Sequence, residues 1–244
     1  MARKRTTYDI YRGRDPREIP TYSFSEASHL LKIPLITLRS WVRGRHYPTT
    51  AYGRRKYEPL IALPDFDLPL LSFINLMEAH VLDAIRYKDK LPLIGVRTAI
   101  KTLKEKYNSE HPLVEYEFQH DGVDLFTEIE KNLVNVSRGG QFAIREIIKA
   151  SLKRIARDSN RSPVALYPFL RRYPQHTEEQ KLVLIDPRIS FGKSILVGVG
   201  VPTAVIADRN EAGESVAELA RDYGCEAEEI QKAIDYENAL PKAA

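Results

Sequence analysis

Four polar side chains, Thr37, Arg39, Ser40 and Arg43, fall at three- and four-residue spacing in one short stretch, and a basic run, Arg54-Arg55-Lys56, follows between Tyr52 and Tyr57. Residues three and four apart share one side of a helix. An arginine fork matches the edge of guanine or a phosphate, and threonine or serine hydroxyls contact either bases or phosphates. The chemistry on offer is recognition of double-stranded DNA. One helix side would read bases, and a basic loop would take phosphates or an adjacent minor groove.

No other stretch has the spacing of a catalytic, metal or cofactor site. The six histidines, at 29, 46, 80, 111, 120 and 176, form no metal-binding spacing, and the single Cys225 has no partner for a thiolate site. Gly192-Lys193-Ser194 ends like a phosphate-binding loop, but position 187 is proline where that loop needs glycine. Glu115, Glu117, Glu128 and Glu130 alternate with apolar residues, as the solvent side of a sheet does. The expectation is a protein that binds rather than catalyses, with no cofactor and no metal.

The elements that position the basic residues are legible from period and caps. Residues 24–33 form a short helix, with Ser23 or Ser25 as cap and Ala27, Leu30 and Leu31 inward. Ile33-Pro34 ends it. Leu35 to Gly44 is a second helix with Leu38, Trp41 and Val42 on its inner side. His46 to Pro59 is a small hairpin or loop. Longer helices are expected over 68–88 and 93–107. Alternation then predicts strands over 113–118 and 124–129 around the Asp121-Gly122 turn, and a short one near 133–136. A helix over 141–157 and a strand over 164–169 follow. Beyond the polar stretch 171–180 come a strand at 183–185, a Gly/Pro-rich loop, and three short helices over 203–212, 215–223 and 226–236.

The 244 residues carry a formal charge of only +4, but unevenly. Residues 1–60 hold thirteen Lys/Arg and five Asp/Glu, a balance of +8; residues 61–170 are neutral; residues 171–244 balance at −4. Phosphate contact favours the basic end, so the acidic end is expected to face another partner. With 43% hydrophobic residues, one cysteine and no run of 18 apolar residues, the chain reads as globular, cytoplasmic and without a membrane segment.

Two segments resemble known families. Tyr22-Ser23, Ala27, Leu30-Leu31, Leu38-Arg39-Ser40-Trp41 and Gly53-Arg54-Arg55-Lys56-Tyr57 resemble the winged helix-turn-helix of the MerR family over about residues 20–107. Ser40 stands where that family has an aromatic, and no effector cysteine cluster follows, so metal sensing is not implied. Asp186-Pro187-Arg188-Ile189-Ser190-Phe191-Gly192-Lys193, Val197-Gly198, Val201-Pro202-Thr203 and the helices to Ile230 look like the domain of unknown function 433. Together these segments resemble a VapB-type antitoxin.

The expected fold is mainly α within an α+β class. Residues 1–20 are a basic arm, 20–107 a winged helix-turn-helix domain, 111–170 a small strand–helix subdomain, 171–180 a linker and 181–244 a trihelical domain. The resemblance implies an antitoxin that represses its own operator as a homodimer. It would neutralise a PIN-like ribonuclease toxin through the tail, with Arg171, Arg172, Arg188, Lys193 and Arg209 as contacts. The alternatives are a regulator whose middle subdomain binds a small effector, and an enzyme built on that subdomain.

Overall fold

In the computed structural model, residues 11–48, 54–87, 93–114, 148–169 and 180–239 are described. The helix-turn-helix forms as its caps dictate. Strand β1 (Tyr22–Ser23) leads into α1 (Phe24–Leu31), whose cap Ser23 accepts the Glu26 amide at 3.1 Å. Lys32 closes α1 in the left-handed region, with φ 58°. Pro34 supplies the extended entry to α2 (Leu35–Arg43), and Gly44, at φ 73°, releases the chain into a hairpin. That hairpin pairs β2 (Arg45–Pro48) with β3 (Arg54–Tyr57) antiparallel, His46 opposite Lys56. Leu38, Trp41 and Val42 are buried as the period requires.

The next helix starts later than periodicity suggests. Leu70 and Leu71 form β4 and pair with Ser23 and Tyr22. Helix α3 runs over Phe73–Tyr87. Its start is set by polar side chains that an apolar pattern does not weigh: the Ser72 amide donates to Asn75 Oδ1, and the Asn75 amide to Ser72 Oγ, both at 3.2 Å. Helix α4 spans Leu93–Tyr107.

Two further expectations change. Leu113 and Val114 are buried in a turn rather than in a strand. The remainder of that strand, the Asp121-Gly122 turn and the strands at 124–129 and 133–136 lie outside the described residues. Residues 148–152 are helical, but Ile155–Arg157 is strand β5, not the end of a helix. The cause is Arg154. It is buried, its guanidinium donates to the carbonyls of Tyr167 and Pro168 at 2.8 and 2.9 Å, and it lies over the Phe169 ring. A charged side chain drawn inward turns the chain where apolar spacing alone would continue the helix.

Strand β5 pairs with β6 (Pro163–Leu166), β6 with β7 (Val183–Ile185), and β7 with β8 (Ser194–Leu196), all antiparallel. One sheet therefore joins strands from either side of residues 171–180. The trihelical segment follows as α5 (Thr203–Glu211), α6 (Val216–Tyr223) and α7 (Ala227–Asn238). Reciprocal Ser215/Glu218 and Glu226/Glu229 caps start the last two, and Gly224 at φ 67° ends α6. The architecture is α+β with an amino-terminal helix-turn-helix, as expected.

Among the described residues there are two apolar cores. The larger runs from Tyr22 through Trp41 and Leu82 to Ile155, Leu166 and Ile185. The smaller joins Leu182, Leu196 and Ile206 to Leu219, Ile230 and Ile234. The larger core takes in β7, so the sheet is packed onto the helix-turn-helix end. None of the described helices is long and apolar enough to cross a membrane.

Candidate nucleic-acid interface

Helix α2 presents one side to its own core and the other to solvent. With Leu38, Trp41 and Val42 inward, Arg39 and Arg43 are exposed, and Thr37 and Ser40 are half-buried between them. Ser40 Oγ donates to the Thr37 carbonyl at 2.7 Å, which uses its proton and leaves the oxygen as an acceptor. The Arg43 guanidinium lies 5.3 Å from the centre of the Phe24 ring, so α1 braces the last turn of α2. The hairpin that carries Arg54, Arg55 and Lys56 follows α2 directly; the side chains of these three lie outside the described residues.

Ile36 lies on the solvent side of α2, 74% exposed, a place that polarity alone does not assign to an isoleucine. The helical period does carry the signal. Positions 36 and 38 are about 200° apart on a helix of 3.6 residues per turn, so they cannot both face the core.

A polar seam joins α1 and α7. Tyr236, fully buried, donates from its hydroxyl to the Leu30 carbonyl at 2.8 Å. His29 Nε2 is 2.7 Å from Glu237 Oε2. Glu237 Oε1 also accepts from Thr203, whose Oγ1 lies 2.7 Å from Ser194 Oγ. Burial raises the Glu237 carboxyl, but hydrogen bonds from His29 and Thr203 and the charges of His29 and Lys32 outweigh it and hold the group below its ordinary value. A second tie is Tyr22, whose hydroxyl donates to the Gly192 carbonyl at 3.1 Å. Gly192 has φ +77°, and a Cβ there would lie 2.0 Å from the Tyr22 hydroxyl, so the position admits no side chain.

Lys32 is the unusual member of the seam. It forms the turn between α1 and α2, is fully buried, and its Nζ has no hydrogen-bond partner among the described residues; it sits 4.1 Å from the centre of the Tyr236 ring. Burial lowers its pKa from 10.5 to about 8, with the Glu237 charge acting the other way. The folded state thus binds this proton less tightly than the unfolded chain. The penalty is present in full below pH 8 and is relieved as pH rises from about 8 toward 10.5. Lys32→Met is expected to stabilise the protein at pH 7 by about 1–3 kcal/mol. It should also flatten the rise in stability above pH 8, as read by urea unfolding between pH 7 and 10.

The basic residues expected at the other end are placed differently. Arg188 is exposed but tied to Asp186 through its amide at 2.8 Å and its guanidinium at 2.6 Å. Arg209 is held by Glu214 at 2.7 Å and Asp222 at 2.6 Å, over the Tyr223 ring. Lys193 is exposed, next to the turn Ser190–Gly192, where Phe191 is 77% exposed at φ 55° and Ile189 is 41% exposed. Arg188 and Lys193 flank that turn, whereas Arg209 lies in the last turn of α5. Arg171 and Arg172 lie outside the described residues. Sequence reasoning weighs the charges here and passes over the exposed aromatic between them.

Residues 20–100 match a family described as "Putative DNA-binding HTH domain", and residues 183–236 match "Protein of unknown function (DUF433)". Among curated proteins, the chain is 27% identical to "Putative antitoxin VapB45" of Mycobacterium tuberculosis, over 89% of this chain and 94% of that one. It is 24% identical to "Uncharacterized protein Rv2308" of the same organism, over 88% and 89%. The crystal structure of Rv2018 from Mycobacterium tuberculosis has the same fold, with a TM-score of 0.61 at 22% identity, covering 89% of this chain and 98% of that one.

Proposed function

We propose that this chain is a DNA-binding antitoxin that represses its own operator. The observation that carries this is the division of α2, with three apolar residues in the core and Arg39 and Arg43 turned toward solvent, ahead of a two-stranded hairpin. Such a helix enters the major groove, and the hairpin follows the backbone as a wing, in the manner of the MerR family. Thr37, Arg39, Ser40 and Arg43 read or position on the major groove; Arg54, Arg55 and Lys56 take phosphates. Two copies, one on each half-site of an inverted repeat, make the functional unit. The match to a helix-turn-helix family and the likeness to a protein named as an antitoxin support this reading.

If the wing takes phosphates, its charges are counted by salt. Arg54, Arg55 and Lys56 changed together to alanine should make the slope of log affinity against log salt shallower by about 3 per protomer. A slope unchanged by the triple substitution removes the wing from the interface.

The carboxyl-terminal face would hold a PIN-like ribonuclease toxin, whose metal site is acidic. Arg188 and Arg209 already carry their own carboxylates, so their contribution requires exchanging these partners. The turn with exposed Phe191 beside Lys193 is the better-presented contact, with Arg171 and Arg172 adding charge. Co-expression with the product of the neighbouring reading frame tests this. The two proteins should co-purify and growth should be restored. Phe191→Asp with Lys193→Glu should abolish both, while Arg209→Ala should leave them intact. Co-purification indifferent to the turn places the contact elsewhere.

The small-effector alternative places its pocket in residues 111–170, of which 115–147 lie outside the described residues. A cavity of about 660 Å³ lies between the amino-terminal lead-in and residues 108–111. Its lining includes Arg14, Asp15, Glu18, Asn108, Glu110 and His111, rather than the predominantly apolar wall typical of effector pockets.

A further inference from the structure

Ile36 leaves most of a branched aliphatic side chain in water, at the second position of a helix whose other exposed side chains include two cations. It gives nothing to the core, which Leu38, Trp41 and Val42 fill from the opposite side, with Leu35 packed against them. Ile36, Arg39 and Ser40, and Arg43 climb one side of α2 at spacings of three, four and seven. Residues near the start of a recognition helix contact base edges. On those edges the one apolar group is the C5 methyl of thymine. A β-branched side chain also loses little rotamer freedom when it is covered.

We infer that Ile36 is a specificity-determining residue that packs against a thymine methyl in each half-site, beside the positions read by the two arginines. The inference rests on the DNA-binding reading above. The charge beside Ile36 favours DNA as the occupant: Arg39 and Arg43, exposed on the same side of α2, suit phosphates and guanine edges. The alternative occupant, another protein surface, is separated by the same experiment.

The test uses the full chain and the DNA upstream of its own reading frame, narrowed to the protected segment by footprinting. Each thymine in that segment is replaced in turn by deoxyuridine, which removes only the methyl. Wild type should lose about fourfold in affinity at one thymine of each half-site, the value of one buried methyl, and show no loss at the rest. Ile36→Ala should bind thymine DNA about tenfold more weakly and become indifferent to deoxyuridine at that position. Equal affinity of wild type for all the substituted duplexes overturns the inference while leaving the DNA-binding reading intact. So does an Ile36→Ala variant that keeps the wild-type response. A variant that changes sedimentation mass with no change in the deoxyuridine response assigns Ile36 to a protein contact. Absence of any protected segment overturns both the inference and the reading beneath it.

Discussion

Arg39→Ala with Arg43→Ala lowers affinity for operator DNA by roughly 2–6 kcal/mol, about 1–3 for each arginine–guanine pair removed. The fold should survive. Both side chains are exposed, and exposed substitutions usually stay within about 0.5 kcal/mol of neutral. Arg43 also braces Phe24, so its loss adds about 0.5–1 kcal/mol of destabilisation. Mobility shift for affinity and urea unfolding for stability separate the two effects. A double variant that folds normally and binds as wild type would mean that α2 is not the reading helix.

The second large effect belongs to a residue of the seam between α1 and α7. Tyr236→Ala should cost about 3–5 kcal/mol of stability, as large-to-small core substitutions of aromatics do. It empties a fully buried site and strips the Leu30 carbonyl of its donor. Tyr236→Phe keeps the ring over Lys32 and removes only the hydroxyl, so it should cost about 1–3 kcal/mol, the desolvation of one unpaired carbonyl. Urea unfolding measures both. Lys32 is the turn between the two helices, so the alanine variant should also weaken operator binding, while the phenylalanine variant should retain it. Equal losses from the two variants would show that the hydroxyl, not the ring over Lys32, holds the seam.

The seam changes how a truncation should be read. Removing residues 181–244 deletes β7 and β8 from the sheet and the Tyr236 hydrogen bond to α1, and takes Ile185 out of the larger core. Loss of function after that deletion reports unfolding as readily as loss of a partner site. Point substitutions on the exposed Ile189–Lys193 turn are the cleaner probe.

What the sequence made legible were the elements whose ends are chemically marked. Ser23, Pro34 and Gly44 bracket the two helices of the helix-turn-helix, and Leu38, Trp41 and Val42 can face only one way. Gly213 and Gly224 do the same between the helices of the trihelical segment. Elements defined by partners distant in the chain were not legible. The pairing of Tyr22 with Leu71 takes two residues from what looks like a helix, and the Arg154 guanidinium turns the chain toward Tyr167 and Pro168. Lys32 is the plainest case. A lysine reads as surface in any pattern of polarity, and nothing local says that Tyr236, far along the chain, will cover it. At the candidate site, the charged residues of α2 were visible by spacing. Ile36 was not, because apolar residues are assigned to cores by default, and its direction is fixed only once its neighbours' directions are known.

Affinity for the DNA upstream of the protein's own reading frame, set against affinity for unrelated DNA of equal length at about 150 mM salt, tests the central claim most directly. The account predicts a ratio of about 10³ or more, with protection of an inverted repeat. A ratio near one, or no binding to either DNA, would contradict it.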